Sequence, residues 1–297
     1  MTATAEITSV TSESVAEAPT AAAQTWDAFR RNPLGLVPLA LLALLGLVAI
    51  FAPLIADYPG GYGAAVLQGP SSRHWFGTDN LGRDILSEVV WGTRVSMLVA
   101  VCSSALAIAL GVLLGVLGAY FRRIDNVIGT LVDLCLSLPV LPLTILVAAL
   151  AGPSLRTIIL IIAFFSWPEV ARVVRSQALA VVNLPYVDAA RVIGGRHTWI
   201  LRRHLLPAVA PVIVVSIVLT ASRAVLSEAG LAFLGLGDPN SWSWGRILYE
   251  AQQSGAMSSA WWTTLFPSLA ILLLVVSATL IAIAYNDARN PKSRERA

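Results

Sequence analysis

The chain has 297 residues, of which 57% are hydrophobic and 12% charged, with a formal net charge of +3. A soluble domain carries about 25% charged residues, so this composition excludes a chain that covers itself with a polar surface in water. No basic patch with interleaved aromatic residues accompanies the positive charge, which excludes the usual nucleic-acid-binding footprint.

Residues 1–28 are rich in Thr, Ser, Ala and Glu and read as a disordered cytosolic tail. They lack the basic start and apolar centre of a secretory signal. The apolar run 34–55 follows, interrupted only by glycine and proline. It is long enough to cross a hydrocarbon core of about 30 Å as a helix and should remain as an anchor. Residues 29–93 thus combine a first span with an extracytoplasmic segment. Runs 95–119 and 127–151 are the next spans, and Pro139 and Pro142 should kink the second of them. Run 157–167 must borrow residues 168–174, and run 208–222 must continue through Arg223 and Glu228, before either can cross. Run 263–285 is the last. The expectation is an all-α membrane protein of six spans, with a five-helix core over residues 94–286 and a cytosolic tail over 287–297.

Lys and Arg set the orientation. With the amino terminus inside, fourteen of the 20 basic residues fall on inside segments, five fall outside, and Arg223 lies within a span. Both termini are therefore expected in the cytoplasm. Cys102 and Cys135 lie at different depths in their spans and read as small buried hydrophobes rather than a pair. Gly111-x-x-x-Gly115 and Gly118 read as close helix packing.

The chain's only lysine is Lys292. A phosphate-binding loop needs Gly-x-x-x-x-Gly-Lys-Ser/Thr, so the chain should not hydrolyse ATP by that route. His74, His197 and His204 have no second ligand at metal-site spacing, and no catalytic constellation stands out. No enzyme activity, metal or cofactor is expected of the chain itself.

Asp133, Glu169, Arg223 and Glu228 are costly at membrane depth, at least about 2.5 to 3.5 kcal/mol on insertion scales for the strongest cases. They should face other helices or a water-filled path, and Asp133, Arg223 and Glu228 are the candidate pathway lining. Interhelical hydrogen bonding or helix capping is the alternative, particularly for Glu169 and Glu228.

The polar island of residues 188–207, within a loop taken as 175–207, carries its own helix signals. Pro185 suits the first position of a helix, residues 186–193 continue it, and Gly194 with Gly195 end it. Ala189 and Ala190 would let a partner surface approach closely, while Tyr186, Val192 and Ile193 offer apolar contact and Asp188 and Arg191 a polar edge. A second helical piece, 197–206, runs into Pro207. Such a helix either docks in a partner's groove or lies on lipid headgroups.

Asp188-Ala189-Ala190, then Gly194 and Leu206-Pro207, resemble the coupling loop of ABC-importer permeases, with Asp188 in place of the usual Glu. Further stretches resemble the C-type subunit of the dipeptide, oligopeptide and nickel importers. They are Phe29-Arg30-Arg31-Asn32-Pro33-Leu34, the run from His74 to Ser87, and the run from Leu226 to Gly237 followed by Ser243-Trp244-Gly245. Glu169 departs from the small or neutral residue usual there. The resemblance implies a type I (MetI-like) permease fold in a bacterial cell membrane. It implies ATPase coupling through Tyr186, Asp188, Ala189, Ala190, Gly194, Leu206 and Pro207. The implied partners are a B-type permease, two cytoplasmic ATPase subunits holding ATP and Mg, an extracytoplasmic binding protein and membrane lipid. Di- or oligopeptides are the implied cargo, with nickel, haem or another solute as alternatives and an ion-coupled secondary transporter as a more distant one. Trp242, Trp244, Trp261 and Trp262 suggest either an interfacial belt or a docking surface for the binding protein.

Overall fold

The computed structural model describes residues 21–289, with side chains from residue 25. The first helix, α1 (Ala21–Arg31), occupies the last part of the expected disordered tail, so from Ala21 that expectation is corrected. Residues 1–20 and 290–297 lie outside the described residues. Asn32 then caps α2 (Pro33–Ile55), its side chain accepting from the Leu34 N–H at 2.9 Å while Pro33 supplies a preset first position.

An irregular segment leads to Asp84, which caps α3 (Ile85–Tyr120). At 36 residues this helix is about 54 Å long, well beyond a hydrocarbon core. Next come α4 (Arg122–Ser137) and α5 (Val140–Ala151), bent by 83° at the break between them. Pro139 is the cause: it holds Leu138 in extended backbone, which ends α4. Pro142 does not kink anything. It lies in the first turn of α5, where a missing N–H costs little.

Helix α6 (Leu155–Val182) runs unbroken through Pro168 and Glu169, and takes in the first part of the loop expected from residue 175. Helices α7 (Pro185–Val192) and α8 (His197–Ile200) follow. A π turn, Leu201–Leu205, joins α8 to α9 (Leu206–Leu231), which continues through Arg223 and Glu228 into a second π turn, Ala232–Leu236. The chain closes with α10 (Trp244–Gln253), α11 (Ala256–Ser259) and α12 (Trp262–Arg289). Among the described residues, five helical runs are long and apolar enough to cross a membrane, and counting α4–α5 as one broken span makes six.

Helix α3 is the axis of the bundle and packs on α6 and α9. A Cβ at Gly111 would lie 2.6 Å from Val170, and one at Gly115 would lie 2.8 Å from the Ala171 carbonyl. Only glycine admits that crossing, so these residues set the α3–α6 approach. Cys102 and Cys135 are both free and partly buried. The two ends of the bundle differ in kind. One carries α7 and α8, and the other carries a cap made of residues 56–84 and α10.

Candidate functional site

At the α7 end, Pro185 sits at the first helical position and Leu184 precedes it in extended backbone. The helix ends in a Schellman motif. Gly194 donates to the Arg191 carbonyl and Gly195 to the Ala190 carbonyl, both at 3.0 Å. Gly194 has φ +83°, the left-handed conformation that such an ending requires.

One face of α7 is internal. Val187 and Ala190 are buried with Tyr120, Val182, Ile200, Leu205 and Val209 in a single cluster. The opposite face is open: Tyr186, Asp188 and Ala189 are exposed, and Val192 and Ile193 are 87% and 78% exposed. The structure therefore divides the expected alanine pair. Ala189 is presented outward, whereas Ala190 faces inward because it shares the inner stripe with Val187, three residues before it. Leu206 packs against the same cluster and Pro207 is exposed. Leu206 donates back to Leu201, the wide spacing of a π turn. That widening lies beside Pro207, which has no N–H to continue a regular ladder.

Tyr120, the last residue of α3, was not singled out from sequence, yet it joins this loop to the bundle. Its hydroxyl shares a hydrogen bond of 2.8 Å with His197 Nδ1, and the Arg191 guanidinium lies 5.4 Å from its ring centroid. Arg191 also pairs with Asp188 at 2.8 Å. A cavity of about 880 Å³ opens beside them, bordered by Arg122, Arg123 and Asp125. His204 is wedged between the rings of Trp199 and Tyr186.

A second feature is a cleft of about 380 Å³ between α6, α9 and α12. Arg223 and Glu169 form an ion pair on its wall, with side chains 55% and 51% exposed. Asp133 pairs instead with Arg172 across α4 and α6, both well exposed. Glu228 is enclosed at 2% exposure, accepts from Ser96 at 3.5 Å, and lies near the start of α10. In this structure Glu228 does not line the cleft and instead takes the other expected arrangement, interhelical hydrogen bonding. The physical reason is the cap, which folds over this part of α9: a Cβ on Gly245 would lie 2.5 Å from the Ala229 carbonyl.

The cap holds the one convergence of acidic ligands among the described residues: Asp79, Glu88 and Glu250, with carboxylate oxygens within 4.8 Å of one another. Arg83 occupies their midst, 2.5 Å from Asp79 and 3.2 Å from Glu88, and also pairs with Glu250. Arg246 reaches Glu250 at 3.0 Å. The carboxylate charge is thus met by guanidinium groups, which is poor chemistry for a resident metal. Burial alone would lower the Arg83 pKa, but the surrounding carboxylates of Glu88, Asp79 and Glu250 outweigh it and raise it.

Trp242 is sandwiched between Arg83 and Arg246, at 4.6 and 4.5 Å, and donates to the Pro59 carbonyl at 3.1 Å. Trp244 is fully buried and donates to the Val89 carbonyl. Neither is a belt or docking residue; both are the interior of the cap. Trp262 is partly buried and donates to the Thr78 carbonyl, whereas Trp261 is 56% exposed.

The profile of the family described as "Binding-protein-dependent transport system inner membrane component" matches residues 107–294. A second, the "N-terminal TM domain of oligopeptide transport permease C", matches residues 20–70. The dipeptide transport system permease protein DppC of Alkalihalophilus pseudofirmus is 35% identical over 275 residues, covering 91% of this chain and 90% of that protein. DppC of Bacillus subtilis is 33% identical over 91% of this chain and 85% of its own length. The glutathione transport system permease protein GsiD of Pectobacterium atrosepticum is 34% identical over 90% of each. Among solved structures, a chain of the inward-facing MetNI methionine ABC transporter superposes with a TM-score of 0.53 at 20% identity, over 72% of this chain and 98% of that one. That likeness speaks for the fold, which is the expected MetI-like permease fold.

Proposed function

Because the chain belongs to the family of binding-protein-dependent transport system inner membrane components, we propose that it forms half of the membrane pathway of an ATP-driven importer for di- or oligopeptides. The observation that carries the coupling role is α7: a short helix with one face locked into the bundle and the other, Tyr186, Ala189, Val192 and Ile193, open to a partner. A groove closing on that open face moves α7 as a body. Val187 and Ala190 then pass the displacement to α3, α6 and α9 through the cluster they share.

In this reading the α7 end, which is rich in arginine, faces the cytoplasm of a bacterial cell. Of two ATPase subunits holding ATP and Mg, one docks there at Tyr186, Asp188, Ala189 and the Gly194 turn, with Ala190, Leu206 and Pro207 transmitting from beneath, and the other serves the partner permease. The cap end meets a binding protein, and a homologous B-type permease completes the pathway. Arg223 lines that pathway, and Asp133 stands at its margin. Relatives named for dipeptides, at 33% and 35% identity over most of the chain, favour peptide cargo over nickel or haem.

The test is to purify the chain with the products of its neighbouring genes and measure peptide-stimulated ATP hydrolysis in lipid. Co-purification of an ATPase and stimulation by di- or oligopeptides are expected. If no ATPase co-purifies, the importer reading fails; if nickel or haem stimulates and peptides do not, the cargo reading fails.

A further inference from the structure

The ion pair on the wall of the α6–α9–α12 cleft joins two helices of the bundle, as the Arg172–Asp133 pair one turn further along α6 also does, but it alone of the two borders the cleft. Glu169 lies 14 residues after the first residue of the 28-residue α6 and 13 before its last, just past the apolar run 157–168. Arg223 reaches it from α9, which runs the opposite way. Side chains on a helix tilt toward its amino terminus, so the two lean toward each other between antiparallel helices.

The wall around them is mainly apolar, with Val170, Val173, Val215 and Leu219 interspersed by the hydroxyls of Ser216 and Thr220, while Asn286 and Arg289 of the last turns of α12 border the same cleft. The cleft therefore runs from the ion pair toward the α7 end. A charged pair whose side chains are 55% and 51% exposed cannot face hydrocarbon without large cost. It faces water, the partner permease or whatever passes through the cleft.

A guanidinium and a carboxylate held side by side on a mainly apolar wall form a receptor for the opposite arrangement. A zwitterion presents a carboxylate to the first and an ammonium to the second, and each interaction is a charge-assisted hydrogen bond. Opening the resident pair leaves neither charge unmatched. We infer that Arg223 and Glu169 receive the terminal carboxylate and terminal ammonium of a short peptide as it moves through the cleft, exchanging their mutual contact for the cargo's two ends. The volume, about 380 Å³, lies within the range of about 300–1,000 Å³ of small-ligand pockets. This inference rests on the importer reading above.

The test uses the full importer with its ATPases and binding protein, reconstituted in liposomes. The probes are dialanine, N-acetyl-dialanine and dialanine amide. The unchanged binding protein discriminates equally in every variant, so differences between variants report the membrane chain. In Arg223→Met, the ratio of dialanine uptake to dialanine-amide uptake should fall about tenfold, the effect of losing one charge-assisted bond. In Glu169→Gln, the ratio of dialanine to N-acetyl-dialanine should fall comparably.

The reversed pair, Glu169→Arg with Arg223→Glu, keeps an interhelical ion pair but inverts its polarity. It should insert and bind ATPase normally and yet lose most dialanine uptake. If the reversed pair transports like wild type, or if single substitutions reduce free and blocked peptides alike, the pair is only an interhelical tie and the inference is overturned. A wild-type complex that takes up no peptide overturns the importer reading first, and this inference with it.

Discussion

Tyr120 carries more than its position at the end of a span suggests. Its hydroxyl holds His197 and its ring receives Arg191, so one side chain touches both sides of the loop that includes α7. Tyr120→Phe removes the hydrogen bond and keeps the ring, a change of about 0.5–1.5 kcal/mol. Uptake per ATP hydrolysed is expected to fall several-fold while assembly and ATP hydrolysis persist. Equal losses in hydrolysis and uptake would assign Tyr120 to folding alone. Gly194 is a second such residue. Nothing lies within 4 Å of a Cβ placed there, so the φ of +83°, and not crowding, excludes other residues. In Gly194→Val the turn bears strain of about 1–3 kcal/mol. Membrane insertion should be intact and uptake uncoupled from hydrolysis; normal uptake would remove α7 from the coupling path. The glycine was legible in the sequence because a paired Gly after a short amphipathic run marks a helix end. Tyr120 was not, because an aromatic residue at the end of an apolar span looks like ordinary interfacial anchoring.

At the scale of elements, α3 is one rod joining the cap, through Asp84 and Glu88, to the loop, through Tyr120. Its contact with α6 depends on Gly111 and Gly115, and Gly111→Leu would drive a side chain into Val170. Overpacking of this kind costs about 1–3 kcal/mol or more. A loss of thermal stability in detergent and a lower yield of folded protein are expected, with Gly118→Ala, whose Cβ would lie 3.4 Å from Ile128, close to neutral. Equal behaviour of the two variants would contradict the packing account. The long apolar spans were legible from hydropathy, as was the continuation of α6 and α9 through their charges. The 83° bend was foreseen only as a kink. Two prolines three residues apart do not reveal which of them breaks a helix and which begins one.

For the molecule as a whole, the cap is fastened by Arg83, which joins residues 167 positions apart when it pairs with Glu250. Pairings at that separation leave no periodic trace, and the convergence of Asp79, Glu88 and Glu250 was invisible in the sequence for that reason. Trp242 and Trp244 misled in the same way, since Trp near a membrane boundary has the same composition signal whether it faces lipid or fills a small interior. Arg83→Met strands the Asp79 and Glu88 carboxylates around an apolar side chain, while Glu250 keeps Arg246, and removing one partner of a buried pair costs about 3–5 kcal/mol. A markedly lower Tm is expected, with Arg83→Lys recovering only part of it, because an ammonium lacks the planar fork that serves several carboxylates. A full rescue by lysine would show that charge alone holds the cap.

The π turn at Leu201–Leu205 has a geometric consequence for the joint between α8 and α9. A π turn amounts to one residue inserted into an α-helix, and each residue advances the helical azimuth by about 100°. The turn therefore sets the phase between α8, which follows α7 across the Gly194–Gly195 turn, and the face of α9 on which Arg223 stands. Deleting one residue within it would leave both helices whole and both surfaces chemically unchanged, yet swing one against the other like a cam slipped on its shaft.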